Sequence, residues 1–190
     1  MGFLSKVFDG KKSITRKTTA DSPFCIENPT IGFLNLQGQK GNILLEADRK
    51  LLSPLFKSSK VSSDVTPKCQ VLFIYCDIDS KGKILGCASS IRELIKDARA
   101  YVVVVASENS PYSYIKAIGS RSNWGSNIAL VIDRKAEKFA LFFKKLFKAM
   151  FNGKSMLMEW VELAPQISGR DHPDAPATVM VPEAGHITFK

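Results

Sequence analysis

Three stretches of this chain are apolar on consecutive residues: QVLFIYC from Gln70, AYVVVVA from Ala100 and NIALVI from Asn127. A strand with one wet face alternates polar and apolar residues. A strand that is apolar throughout must be covered on both faces, which is the environment of a parallel sheet flanked by helices. Helical patterns separate these stretches. Ser89 and Ser90 precede Ile91, Leu94, Ile95 and Ala98, which share one helix face behind a capping serine. In 135–151, Phe139, Phe142, Phe143, Leu146, Phe147, Met150 and Phe151 recur at helical spacing while lysines occupy the other side. Asn152-Gly153 supplies a left-handed stop, and Ser155 starts a further helix through Met158, Trp160, Val161 and Leu163 that Pro165 ends. Strands alternating with helices predict an α/β fold of three layers, a mostly parallel sheet with helices on both faces.

The ends of the chain are less regular. Residues 1–27 read as a basic flexible arm, DGKKSITRKTTADSP, behind a short apolar segment with Phe3, Leu4, Val7 and Phe8 at helical spacing. That segment is too short to be a stable helix alone, so it is expected to dock on its own domain or to hook a second copy. The domain proper is predicted over 28–165, with strands near 31–36, 70–76, 100–106 and 127–132. Gln37–Asn42 reads as a loop, Leu51, Leu52, Leu55 and Phe56 as one helix face, and 58–67 as a serine-rich loop. In the tail, 166–190, TVMV and HITF flank Glu183-Ala184-Gly185 and predict a β-hairpin.

With 190 residues the chain can enclose a core without disulfides or metals. No apolar run approaches the roughly 18 residues of a membrane span, and no secretory signal is seen at the start. Cys25, Cys69, Cys76 and Cys87 have neither C-x-x-C spacing nor a nearby histidine, so no metal site is expected. Reduced thiols and a cytoplasmic location follow from the same pattern. The net charge is +9, concentrated in the arm and the 135–154 segment. It points to an acidic protein partner, with nucleic acid as the alternative, although no nucleic-acid motif accompanies it; a homo-oligomer is the expectation from the apolar segment at Phe3–Phe8 instead. No cofactor is predicted: no G-x-G-x-x-G and no G-K-[ST] follows a strand.

In an α/β sheet the site lies at the carboxyl ends of the strands. There stands Cys76, a candidate nucleophile followed by Asp77, Ile78 and Asp79. A cysteine nucleophile needs a base or a positive neighbour. The two histidines, His172 and His186, are both in the tail, and the neighbouring strand-end segment LQGQKG offers Gln39 and Lys40 instead. Asp77 and Asp79 are more naturally turn formers than cation ligands. Asp77, Trp124 and Tyr112 are candidate binding residues, the aromatic ones because such side chains anchor interfaces.

VLFIYCDIDSKG, from Val71 to Gly82, resembles the strand and loop of the caspase-like CHAT peptidases, where an apolar strand ends in the catalytic cysteine. Upstream, that family carries a strand ending in Gly-His-Gly. IGFLNLQGQKG falls in the corresponding place, with Gly38 matching the first glycine and Gln39 standing where the histidine would be. Downstream, IRELIKDARAYVVVVAS and FALFFKKLFKAMFNGKSM resemble the family's later helix, strand and aromatic helix. The ordered set covers about 30–165. The resemblance implies a caspase-like fold and, with the histidine missing, a non-catalytic module that binds or regulates a protein in a bacterial assembly. The alternative is an active cysteine peptidase using Cys76 with a base from elsewhere. A second resemblance competes: SSIRELIKDARAYVVVVASEN with a later Trp124 looks like part of a Toll/interleukin-receptor signalling domain, in which VLFIYCDID would be the first strand.

Overall fold

The structure is a computed structural model; it describes residues 23–79, 83–106, 126–131, 136–163, 178–182 and 184–190. The order of elements is β1 (Phe24–Ile26), β2 (Thr30–Asn35), α1 (Gln39–Leu52), a short 3-10 turn (Ser53–Leu55), β3 (Ser58–Ser62), β4 (Val71–Tyr75), α2 (Ile91–Ala98), β5 (Val102–Ala106), β6 (Asn127–Val131), α3 (Ala136–Phe151), α4 (Met156–Leu163), β7 (Thr178–Pro182) and β8 (Ile187–Phe189).

Six strands form one sheet in the order β3-β2-β4-β5-β6-β7. The first five run parallel and β7 is antiparallel to β6. The three apolar stretches are β4, β5 and β6, the middle of the sheet. Every residue of β4 and β5 is buried, as two-sided coverage requires. Alternate residues feed two cores. On one face Phe33, Phe73, Tyr75 and Val104 meet α1 and the phenylalanines of α3. On the other, Leu34, Leu72, Ile74, Cys76 and Val103 meet Ile91, Leu94, Ile95 and Ala98 of α2. This is the expected three-layer α/β arrangement.

Helix α3 behaves as its spacing predicts. Phe139, Phe142, Phe143, Leu146, Phe147 and Met150 are buried, while Lys145 and Lys148 are exposed. The ring of Phe73 meets those of Phe139, Phe143 and Phe147 at centroid distances of 5.4–6.2 Å, edge to face, the favoured geometry for aromatic pairs. Gly32 of β2 lies under the Pro67–Cys69 segment, where an added Cβ would sit 2.6 Å from the Cys69 sulfur.

Four expectations are corrected. The tail strands do not form a hairpin with each other: β7 joins the main sheet, and β8 pairs in parallel with β1 in a separate two-stranded ribbon. Asn127 holds the segment between the two strands. Its buried amide accepts from the Ala184 N–H at 3.0 Å and donates to the Gly185 carbonyl at 2.8 Å, turning the chain away from β7. Phe24–Ile26, placed in the arm, is strand β1 and brings Ile26 into the core. The serine-rich loop contains β3, a parallel edge strand. The loop over Gln37–Asn42 is shorter than expected, because α1 already starts at Gln39.

The domain therefore draws on both ends of the chain. The Asn28 N–H donates to the Lys190 carbonyl and the Lys190 N–H to the Ile26 carbonyl. VLFIY is the third strand of the main sheet in chain order, not the first as the Toll/interleukin-receptor alignment requires. Among the described residues no helix is long and apolar enough to cross a membrane.

Candidate functional site

Strand order fixes where a crevice can open. From β2 the chain crosses one face through α1 to reach β3; from β4 it crosses the other face through α2 to reach β5. The crossovers diverge between β2 and β4, the topological switch point at which open α/β sheets bind ligands. The carboxyl ends that meet there carry Asn35–Asn42 and Cys76–Asp79, the two segments that the sequence singles out.

The β2–α1 turn is built on Asn35, which the sequence reading passed over. Asn35 is 4% exposed. Its amide nitrogen donates to the Gly38 carbonyl at 2.8 Å and to the Asn42 side-chain oxygen at 2.6 Å, and its oxygen accepts from the Gln37 N–H at 2.9 Å. Gly38 sits at φ 63°, where a side chain would be strained. Gly41 packs so closely on the Asn35 side chain that a Cβ would collide with it. The signal that could have revealed this was a polar residue ending an apolar strand just before a G-x-x-G. The turn presents Gln39 and Lys40, both exposed, in the first turn of α1.

Cys76 extends the ladder of β4 by one residue, its N–H donating to the Ala106 carbonyl at 3.3 Å. It is 0% exposed and belongs to the α2-side core with Ile74, Ile78 and Ile91. Gln39 opens α1, whose buried Leu45 and Leu52 belong to the opposite core. The two candidate catalytic residues thus share the switch point but lie toward different faces of the sheet. Asp77 and Asp79 shape the next turn. The Asp77 carbonyl accepts from the Leu85 N–H, and the Asp79 carboxylate accepts from the Lys83 N–H, both at 2.9 Å. This brings Ile78 against Ile84 as a lid on the α2-side core. Among the described residues no three His, Cys, Asp or Glu side chains are grouped to hold a metal ion.

Beside the crevice, on the α2 side, lies a groove of about 370 Å³ with Leu34, Leu36 and Leu94 along its wall, Cys87 within it and Asp64 and Asp97 at its rim. Beneath the α1 side, the Tyr75 hydroxyl donates to the carboxylate of Asp48 at 2.6 Å, and Asp48 is 0% exposed. Cys69 lies further toward the β3 edge. Burial pushes its thiol up to about 12, against the smaller opposing pull of the Lys60 charge and of the Gly32 backbone.

His186 is not a base for Cys76. Its Nδ1 lies 2.7 Å from the Ser155 hydroxyl, beside the turn that Asn127 holds. Asn127 is level with Val102 and Val71, at the amino ends of the strands. Cys76 is five positions further along β4, roughly 16 Å at the rise of an extended strand. His172, Trp124, Tyr112 and the apolar segment at Phe3–Phe8 lie outside the described residues. No family model, no curated protein and no solved structure matches this chain.

Proposed function

We propose that this chain is a protein-binding or regulatory module on a caspase-like frame, without peptidase chemistry. The observation that carries the reading is the position of Cys76. A nucleophile must reach a substrate carbonyl, and Cys76 has no exposed surface and points into an aliphatic core. The residue that follows the matching strand, Gln39 at the start of α1, is an amide and cannot accept the thiol proton. The imidazole of His186 is held by Ser155 near the opposite, amino-terminal ends of the strands. The switch-point crevice keeps its shape through Asn35 and the Asp77–Leu85 turn, which suits recognition rather than turnover.

Alkylation of the native protein with iodoacetamide, read cysteine by cysteine by mass spectrometry, tests this. Modification is expected at exposed Cys25 and half-buried Cys87, with Cys76 and Cys69 protected until the chain is unfolded. Modification of native Cys76 at the rate of Cys25, together with cleavage of a peptide substrate that Cys76→Ala abolishes, would establish the active peptidase instead.

A further inference from the structure

Among the described strands, β3 ends the six-stranded sheet and pairs with β2 alone. Among the described residues no strand pairs with its outer side. Its sequence, SSKVS, carries three small hydroxyl side chains, with Ser58, Lys60 and Val61 exposed. A bare edge presents unpaired N–H and C=O groups at strand spacing and is a template for another strand. A hollow of about 590 Å³ adjoins it on the α1 side, lined by Glu46, Arg49, Lys50, Ser53 and Ser59. In an added strand every second side chain would turn toward that hollow.

Charge selects the guest. Lys60 lies in β3, its ammonium donating to the Lys68 carbonyl at 3.2 Å, and Lys57 directly precedes the strand. Arg49 and Lys50 line the hollow, where Glu46 is engaged by Arg49 at 3.1 Å, and the one acid just past the strand, Asp64, is held by the Ser62 hydroxyl at 3.0 Å. Lys60 is the central residue of β3. Two copies joined edge to edge about a two-fold axis would set Lys60 against Lys60, a like-charge pair that opposes the match. The chain's own arm, with Lys11, Lys12, Arg16 and Lys17, meets the same repulsion. A guest with a carboxylate facing Lys60 turns repulsion into attraction.

We infer that β3 is a docking strand for an extended, acidic segment of another protein, which adds to the sheet beside Lys60. This rests on the protein-binding reading above and names its mode.

The experiment pans a library of short random peptides against the full chain, then measures affinity and backbone amide exchange with the selected peptides. The expected winners alternate β-branched and other residues, carry Asp or Glu near the centre, and slow amide exchange within Ser58–Ser62. Lys60→Glu should weaken them by about tenfold and favour their Lys-substituted twins by a similar factor. Lys60 is exposed, and an unchanged thermal midpoint verifies that the variant folds. Failure to select any peptide, protection elsewhere with the β3 amides unaltered, or equal affinity for Lys60→Glu each overturns the proposal. So does a doubled mass with a β3 protected in the absence of peptide, which assigns the edge to a second copy. A reactive native Cys76 beside a protected β3 would remove the non-catalytic reading and leave strand addition standing.

Discussion

Asp48 is a carboxylic acid with no exposed surface, set between Leu45 and Leu52 on a helix that packs on a phenylalanine-rich core. Burying such a group is costly unless hydrogen bonds replace its water. The Tyr75 hydroxyl supplies one, at 2.6 Å. Tyr75→Phe keeps the ring and removes the donor, so it is expected to destabilise the protein by about 1–3 kcal/mol, the cost of taking a hydrogen-bond partner from a buried polar group. Urea unfolding midpoints measure it; a midpoint equal to that of the parent would show that the hydroxyl contributes nothing. Cys69 makes a different residue-scale prediction. Its thiol is raised to about 12 by burial, whereas the unfolded chain loses that proton near the ordinary value of about 8.5. Between the two values the unfolded state binds fewer protons. Stability is therefore full below the ordinary thiol range and declines as pH rises through it. Replacing Cys69 with Ala should flatten that decline in stability measured from pH 8 to 10, and a slope identical to that of the parent would contradict it.

At the scale of elements, α2 starts from a reciprocal cap. The Ser90 hydroxyl accepts from the Glu93 N–H at 3.3 Å, and the Glu93 carboxylate accepts from the Ser90 N–H at 2.7 Å. The backbone bond from Ser90, helped by its hydroxyl, holds the Glu93 carboxyl below its usual range. A depressed carboxyl contributes stability that is present above the unfolded value and lost as pH falls through the folded one. Glu93→Gln should thus shrink the stability lost between pH 5 and pH 3, while Glu93→Ala should weaken the helix at neutral pH as well. Thermal midpoints across that range decide it. This element was legible in the sequence because its cap and its apolar face are both local. So were β4, β5 and β6, whose two-sided burial is written in consecutive apolar residues. β3 was not legible: an edge strand exposed on both faces needs no apolar residue, and SSKVS resembles a loop. Nor was the start of α1, where Gly38 and Gly41 mark a loop in sequence but serve a turn folded around Asn35. At the candidate site, the segment after β2 that carries Gln39 and the strand end at Cys76 could be located from pattern alone. Which face each occupies depended on helix placement, which no local pattern encodes.

For the molecule as a whole, the decisive feature is that the last residues of the chain close a core begun near its start. β8 pairs with β1, and Phe189 enters a ring of aromatics, with centroids 5.9 Å from Phe56, 5.9 Å from Phe147 and 5.1 Å from Phe151. Those partners come from the segment after α1 and from α3, so Phe189 joins parts of the chain far apart in sequence. It is 2% exposed, whereas Phe24 on the partner strand of the same ribbon is 49% exposed. Removing a buried phenylalanine side chain leaves a cavity and typically costs about 3–5 kcal/mol. Phe189→Ala is therefore expected to lower stability by that amount, a large share of the roughly 5–15 kcal/mol that holds an ordinary domain together. Phe24→Ala, which loses mainly one tilted contact with Tyr101 at 5.1 Å, should cost much less. Chemical denaturation of the two variants measures the difference directly. If the tail were an appendage to a domain ending near Pro165, both substitutions would be nearly neutral. If it closes the core, Phe189→Ala alone shifts the transition, and a chain truncated before β7 loses cooperative unfolding, because it gives up the sixth strand as well as the aromatic plug.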